Sequence, residues 1–159
     1  MLKRDFIVGL TNNKRILKQF VSVISVEDIN KRINDYWTIY EHIDHLVVCQ
    51  KMLLGRIELF ISEENPIIKP YNPDVKPEIN NGMKSAAELV QEFCELRDKQ
   101  IKLLKTADRH VWKKQGTHDE YKKYTFEILL RHILVHDSFH MFRMEELWIM
   151  KEQYIKELN

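Results

Sequence analysis

Histidine is the residue type in this chain whose spacing could do chemistry. His132, His136 and His140 recur at i, i+4 and i+8 in a stretch rich in Leu, Ile, Phe and Met. His42 and His45 sit in a second apolar stretch far upstream. Side chains four residues apart on an α-helix lie one above the other, with Cβ atoms about 5–6 Å apart. Two imidazoles so placed can converge on one divalent ion, each at about 2.0–2.1 Å. A third ligand must come from a facing helix, and His45 is the best placed, mid-helix on an otherwise apolar face. Three neutral imidazoles suit zinc, nickel, copper or iron(II) and suit magnesium or calcium poorly. Three protein ligands also leave a coordination position open, the pattern of a catalytic rather than a structural site. The expected metal set is therefore His45, His136 and His140, with zinc or nickel as the expected ion.

The competing interpretation is a set of hydrogen-bonded core histidines, which is what a single histidine on an apolar helical face usually is. Helical rotation already removes one member from the set. Each i+4 step turns the side chain by about 40°, so His132 lies about 80° around the helix from His140. It is read as core, or as a residue behind the ligands. His42, His110 and His118 are expected at the surface. Tyr40, Asp44 and Asp137 each lie within a turn of a ligand and could orient it or face solvent; no general acid or base is assigned.

Several chemistries are excluded by residue type. The run His136-Asp137-Ser138-Phe139-His140 lacks the glutamate that serves as general base in H-E-x-x-H proteases. There is no G-x-S-x-G, P-loop or G-x-G-x-x-G in a chain with four glycines. A di-iron bundle would need paired E-x-x-H motifs and inward glutamates from the other helices.

The elements that would position these histidines are helices. The chain has 159 residues, 44% apolar and 31% charged, which suits one domain with a sizeable core, residues 1–159. Apolar spacing predicts helices over about residues 2–22, 39–61, 86–106 and 126–157. Thr38 with Glu41, and Ser85 with Glu88, are capping-box pairs that start the second and third. Trp37, just before the first of these caps, can act as a hydrophobic staple, and Thr125 caps the fourth helix. His45, Val48, Cys49, Met52 and Leu59 are expected on one face of the second helix. All four prolines fall in the connection of about residues 62–84, too long for a tight hairpin. Such a crossover lets two consecutive helices lie parallel. The expected fold is an all-α four-helix bundle in up-down-down-up order. Residues 107–124 are expected to form a connection with a short helix or hairpin.

A net charge of +1, with basic and acidic residues interleaved, gives no nucleic-acid footprint. No apolar stretch approaches the roughly 18 residues of a membrane span, and the N-terminus lacks a signal-peptide core, so a cytoplasmic protein is expected. Cys49 and Cys94 read as reduced core residues.

The stretch Thr125–Leu147, T-F-E-I-L-L-R-H-I-L-V-H-D-S-F-H-M-F-R-M-E-E-L, resembles the fourth helix of the DinB/YfiT-like metalloenzymes, damage-inducible helical-bundle proteins. The stretch W-T-I-Y-E-H-I-D-H-L, residues 37–46, resembles that family's first ligand segment. The resemblance extends over the whole chain in length, helix order and the long second connection. It implies a three-histidine metal site in which His45, His136 and His140 match the ligand positions, and it implies homodimers. Trp148, Ile149 and Tyr154 could serve that contact or pack on the bundle. Many members carry a histidine where this chain has Phe139, and a glycine and glutamine near Arg143, Met144 and Glu145; both departures bear on the substrate. Bundles of this kind include transferases and isomerases that use a low-molecular-weight thiol. The functions implied are thiol-dependent S-transfer or metal-dependent hydrolysis of a small molecule, with a non-catalytic metal-binding stress-response protein as the alternative.

Overall fold

The computed structural model describes residues 2–70 and 83–156. The elements run α1 (Lys3–Ser22), α2 (Val26–Asn30), α3 (Ile39–Ser62), β1 (Ile67–Ile68), α4 (Ala86–Thr106), β2 (Gln115–His118), β3 (Tyr124–Thr125) and α5 (Phe126–Ile149), with single 3-10 turns at Val111–Lys113 and Glu152–Tyr154. Both capping boxes form as the sequence predicts. The Thr38 hydroxyl accepts from Glu41 N at 3.1 Å while Thr38 N donates to the Glu41 carboxylate at 2.7 Å. Ser85 and Glu88 repeat the exchange at the start of α4. Each box satisfies two backbone donors that a helix start would otherwise leave orphaned.

Four long helices form a bundle, α1, α3, α4 and α5. Helix α1 packs on α4 and α5, and α3 packs on the same two. The residue pairs that meet are specific. Lys3 Nζ reaches the carbonyl of Lys105 at 2.9 Å, and Lys14 pairs with Asp98. Tyr40 hydroxyl donates to the Lys84 carbonyl at 2.8 Å, and Lys51 pairs with Glu92 at 2.8 Å. Phe20 packs on Trp148, Gly9 lies against Leu134, and Phe60 packs on Phe126. Pro73 and Pro77 of the crossover lie outside the described residues. Its first part adds a feature that helical periodicity could not reveal: β1 pairs in parallel with β2, which pairs antiparallel with β3. Gly116 on β2 is needed there, because a Cβ would stand 2.8 Å from the Pro66 carbonyl oxygen and 3.1 Å from the Phe60 ring. Among the described residues no helix is long and apolar enough to cross a membrane.

Some expected details differ. Leu2, Ile16 and Leu59 are exposed rather than inward. The apolar arc of α3 runs instead through Ile43, Leu46, Val47, Leu53, Ile57 and Phe60, because that helix faces two neighbours, α4 and α5, at once. The last helix stops at Ile149, short of 157, and gives way to the 3-10 turn. Helix α2 starts at a Ser25 cap and was not foreseen, since five residues are too few to show a period. Trp148 is half-buried against Phe20, whereas Ile149 and Tyr154 are exposed.

Polar groups cross the core where all four helices meet. Arg97 of α4 and Asp137 of α5 are 0% and 1% exposed and paired at 2.6 Å. Gln50 of α3 donates to the same carboxylate at 3.0 Å, and Asn13 of α1 approaches it at 3.4 Å. Gln100 donates to the Gln50 side-chain oxygen at 2.9 Å. Asp137 thus has its acceptor capacity filled by three helices other than its own. Removing one member of a buried pair leaves the other charge unpaired, at a cost of about 3–5 kcal/mol. Arg97→Met is therefore expected to lower unfolding stability by an amount of that order, read from the midpoint of urea denaturation; a loss within error would show that Asp137 does not depend on Arg97.

Candidate metal centre

The capping box at Thr38 fixes the first turn of α3, and Arg32 holds Glu41 of that box at 2.6 Å. One face of that turn and the next presents His42 and His45. Facing them, two turns of α5 present His136 and His140. His45 Nε2 lies 3.2 Å from His136 Nε2, and His42 Nδ1 lies 2.9 Å from His140 Nδ1. The rings of His45 and His136 each stand 4.6 Å from that of His140. One ring nitrogen from each of His45, His136 and His140 lies within 4.8 Å of the other two. Trp37, the residue before the cap, lies 5.3 Å from His42, 5.1 Å from His45 and 6.2 Å from His140, the last stacked. It does occupy the staple position, with the histidine at the fourth helical residue as its partner.

Three donor properties fit a divalent ion. First, the nitrogens of two ligands at about 2.05 Å on a tetrahedral ion are about 3.3 Å apart, close to the 3.2 Å between His45 and His136. Second, His136 turns its Nε2 toward His45, while its Nδ1 is buried without a hydrogen-bond partner. Third, the rings are held neutral, the form that ligates. Burial pushes His42 down to about 4, with Arg143 and His45 adding to it. Burial and the neighbouring His136 push His45 to about 4. His140 is driven lower still by burial and by the three histidines around it, and His136 falls through burial and Arg97.

The three histidines expected from spacing are thus brought together, and His132 is not among them. Its ring meets Tyr121 at 5.4 Å and Tyr124 at 5.8 Å. Two surface assignments are corrected. His42 is 7% exposed, packed between Trp37 and His140, because the antiparallel match that sets His45 on His136 sets the next turn of α3 on the next turn of α5. His118 is also 7% exposed, its ring against Tyr121 and Tyr124, because β2 tucks it under β3. His110 is exposed, as expected, beside Glu64. Asp44 and Asp137 are buried rather than solvated. Tyr40 is committed to the Lys84 carbonyl. Sequence reasoning missed His42, Trp37 and Cys49 as neighbours of the cluster. The i, i+3 spacing of His42 and His45 was the available signal for the first.

A separate cavity of about 1090 Å³ opens between the end of α1, α2 and the starts of α3 and α4. Lys18, Arg32 and Lys84 line it over an apolar floor that includes Ile29 and Val90, and no histidine does. The histidine cluster is instead reached directly between α3 and α5, where His45 and His136 are half-buried and Phe139 is exposed.

A bundle with this histidine cluster defines a class, and residues 10–142 match the DinB superfamily: the chain belongs to it. YfiT from Bacillus subtilis, described as a probable metal-dependent hydrolase with an unusual four-helix bundle topology, shares the fold with a TM-score of 0.79 and 24% identity, over 91% of this chain and 85% of that one. The mycothiol-dependent maleylpyruvate isomerase shares it with a TM-score of 0.66 and 9% identity, over 98% of this chain and 65% of that one. No curated protein matches the sequence.

The histidine values set a direction for acid sensitivity. His42 and His45 take up protons near 6.5 when unfolded but only near 4 when folded. Between those values the unfolded chain binds more protons, so stability is full above about pH 6.5 and falls as pH drops toward 4. Chelator-treated protein should show a falling thermal midpoint through that window; a flat or rising midpoint would contradict the neutral, buried state of these rings.

Proposed function

We propose that this chain is a divalent-metal-dependent enzyme acting on a small molecule, with the ion held by His45, His136 and His140. The observation that carries this reading is the convergence of three ring nitrogens within 4.8 Å from two facing helices. Zinc or nickel is the ion best matched by three neutral imidazoles. When bound, such an ion supplies a Lewis acid that activates water or holds a thiol as thiolate. The reaction class we favour is S-transfer from a low-molecular-weight thiol to an electrophile, with metal-dependent hydrolysis as its near neighbour. The thiol reading draws on the fold shared with a mycothiol-dependent isomerase, and the hydrolytic one on the fold shared with YfiT.

The protein's own groups have separable roles in this scheme. His42 acts on His140 from behind: its Nδ1 at 2.9 Å fixes the ring's rotation, so that Nε2 of His140 is the nitrogen left to ligate. Trp37 covers the same rings and limits water on that side. Asp137 is saturated by Arg97, Gln50 and Asn13, which removes it as a general base and leaves it to hold α5 in register. That absorption of Asp137 favours a second reading, a metal-binding stress-response protein without catalysis.

Residues 1–159 are taken as one domain in up-down-down-up order. The order is supported by the start of α1 meeting the end of α4, at Lys3–Lys105, and by α3 meeting α4 start to start, at Tyr40–Lys84.

Tag-free protein should carry near-stoichiometric zinc or nickel by elemental analysis. His136→Ala should abolish loading. His42→Ala should weaken affinity by about 10–100-fold, the usual cost of losing a ligand's outer partner. His118→Ala should leave it unchanged. Equal loading of the His118 and His136 variants would sink the ligand assignment. Conjugation of low-molecular-weight thiols to a model electrophile should be accelerated by the loaded protein and not by the His136 variant. No acceleration across several thiols would favour the non-catalytic reading.

A further inference from the structure

Cys49 sits on α3 four residues after His45, so the two share a face as His136 and His140 do on α5. Its side chain is buried, and Cys49 and Cys94 are both free thiols. Cys49 Sγ lies 3.4 Å from Nε2 of His45, and the same nitrogen lies 3.2 Å from Nε2 of His136. The second thiol-to-ring distance, to Nδ1 of His45, is longer at 4.0 Å, so the sulfur addresses the side of the ring that faces the cluster. A tetrahedral ion with Zn–N near 2.05 Å and Zn–S near 2.3 Å has N···N edges of about 3.3 Å and N···S edges of about 3.5 Å. Both distances that meet at His45 Nε2 are edges of that figure.

We infer that Cys49 is a fourth protein ligand of the ion, an exchangeable thiolate occupying the coordination position that the three histidines leave open. The inference rests on the three-histidine reading given above. Coordination forms one sulfur–metal bond and releases the thiol proton to solvent. It also requires Sγ, which stands outside the set of atoms within 4.8 Å of one another, to approach the nitrogens of His136 and His140 on loading. His42 lies outside the converging set, and its Nδ1 is engaged by the Nδ1 of His140. The consequence is a site that is closed by the protein's own sulfur at rest. An incoming thiol would give its proton to the departing Cys49 sulfur and restore a sulfur–metal bond, whereas an incoming water would exchange that bond for an oxygen–metal one. A Cys49 ligand therefore selects thiols over water as the exchanging partner.

The test uses cobalt(II) alone as probe on the full chain. The cobalt-loaded wild type should show both the visible ligand-field bands of a four-coordinate ion and a near-ultraviolet thiolate-to-cobalt charge-transfer band. In Cys49→Ser the charge-transfer band should be lost and visible bands retained; in Cys94→Ser both should persist. X-ray absorption of zinc-loaded wild type should place one sulfur at about 2.3 Å, a readout that does not depend on any variant folding. Cobalt bound with identical spectra in wild type and Cys49→Ser, together with no sulfur around zinc, overturns the Cys49 assignment and leaves the three-histidine site standing. Failure of the wild type to bind either ion overturns both.

Discussion

The ion pair between Arg97 and Asp137 is the constraint on which the rest of the bundle depends. A carboxylate and a guanidinium can be buried together only if geometry and hydrogen bonds offset their lost hydration. Here those bonds come from separate helices: Arg97 from α4, Gln50 from α3 and Asn13 from α1, all meeting Asp137 on α5. An apolar core tolerates a helix sliding or rotating if volume is conserved. A shared carboxylate does not, because any slip leaves a charge or an amide unpaired. The bundle's register is therefore specified at one level by polar chemistry, and the apolar clusters above and below it follow.

That level lies next to the histidines. Asp137 immediately follows His136, and Gln50 immediately follows Cys49. Fixing Asp137 against Gln50 fixes the relative height and rotation of α3 and α5, which is what sets His45 Nε2 against His136 Nε2. The charge arithmetic is consistent with this arrangement. Arg97, although paired with Asp137, still disfavours a proton on His136, and burial does most to keep the rings unprotonated. His140, the most surrounded, is depressed furthest, by burial and then by His136, His45 and His42.

The fold was legible in the sequence where signals were local and repeated. Thr38 with Glu41 and Ser85 with Glu88 mark helix starts through backbone donors that any helix must satisfy, so position alone reveals them. The histidine pair at 136 and 140 was legible for the same reason. What escaped reading depends on partners distant in sequence. His42 looked like a surface residue because its burial comes from α5 and Trp37, not from its own helix. Leu59 looked inward because one period cannot tell which arc faces two neighbours. Asp137 looked like a surface or ligand-orienting acid because nothing near it in sequence announces Arg97, forty residues away. The strands around Gly116 follow from the crossover meeting the last connection, a contact no periodicity encodes.

The candidate site inherits its character from this division of labour. Its donors are placed by helices locked at a polar level, so they need no loop to close in order to converge. The site is distinct from the cavity at the starts of α3 and α4, which shares that end of the bundle but is lined by no histidine. Phe139 and Trp37 stand beside the site, in ring contact with His140 and His45 respectively. Rim residues can then change without disturbing the ligands, since none of them takes part in the Asp137 network. Phe139 stands on the same turn as His140 yet makes only ring-edge contact with it, and this is the place where chains with the same donors can come to differ in what they recognise.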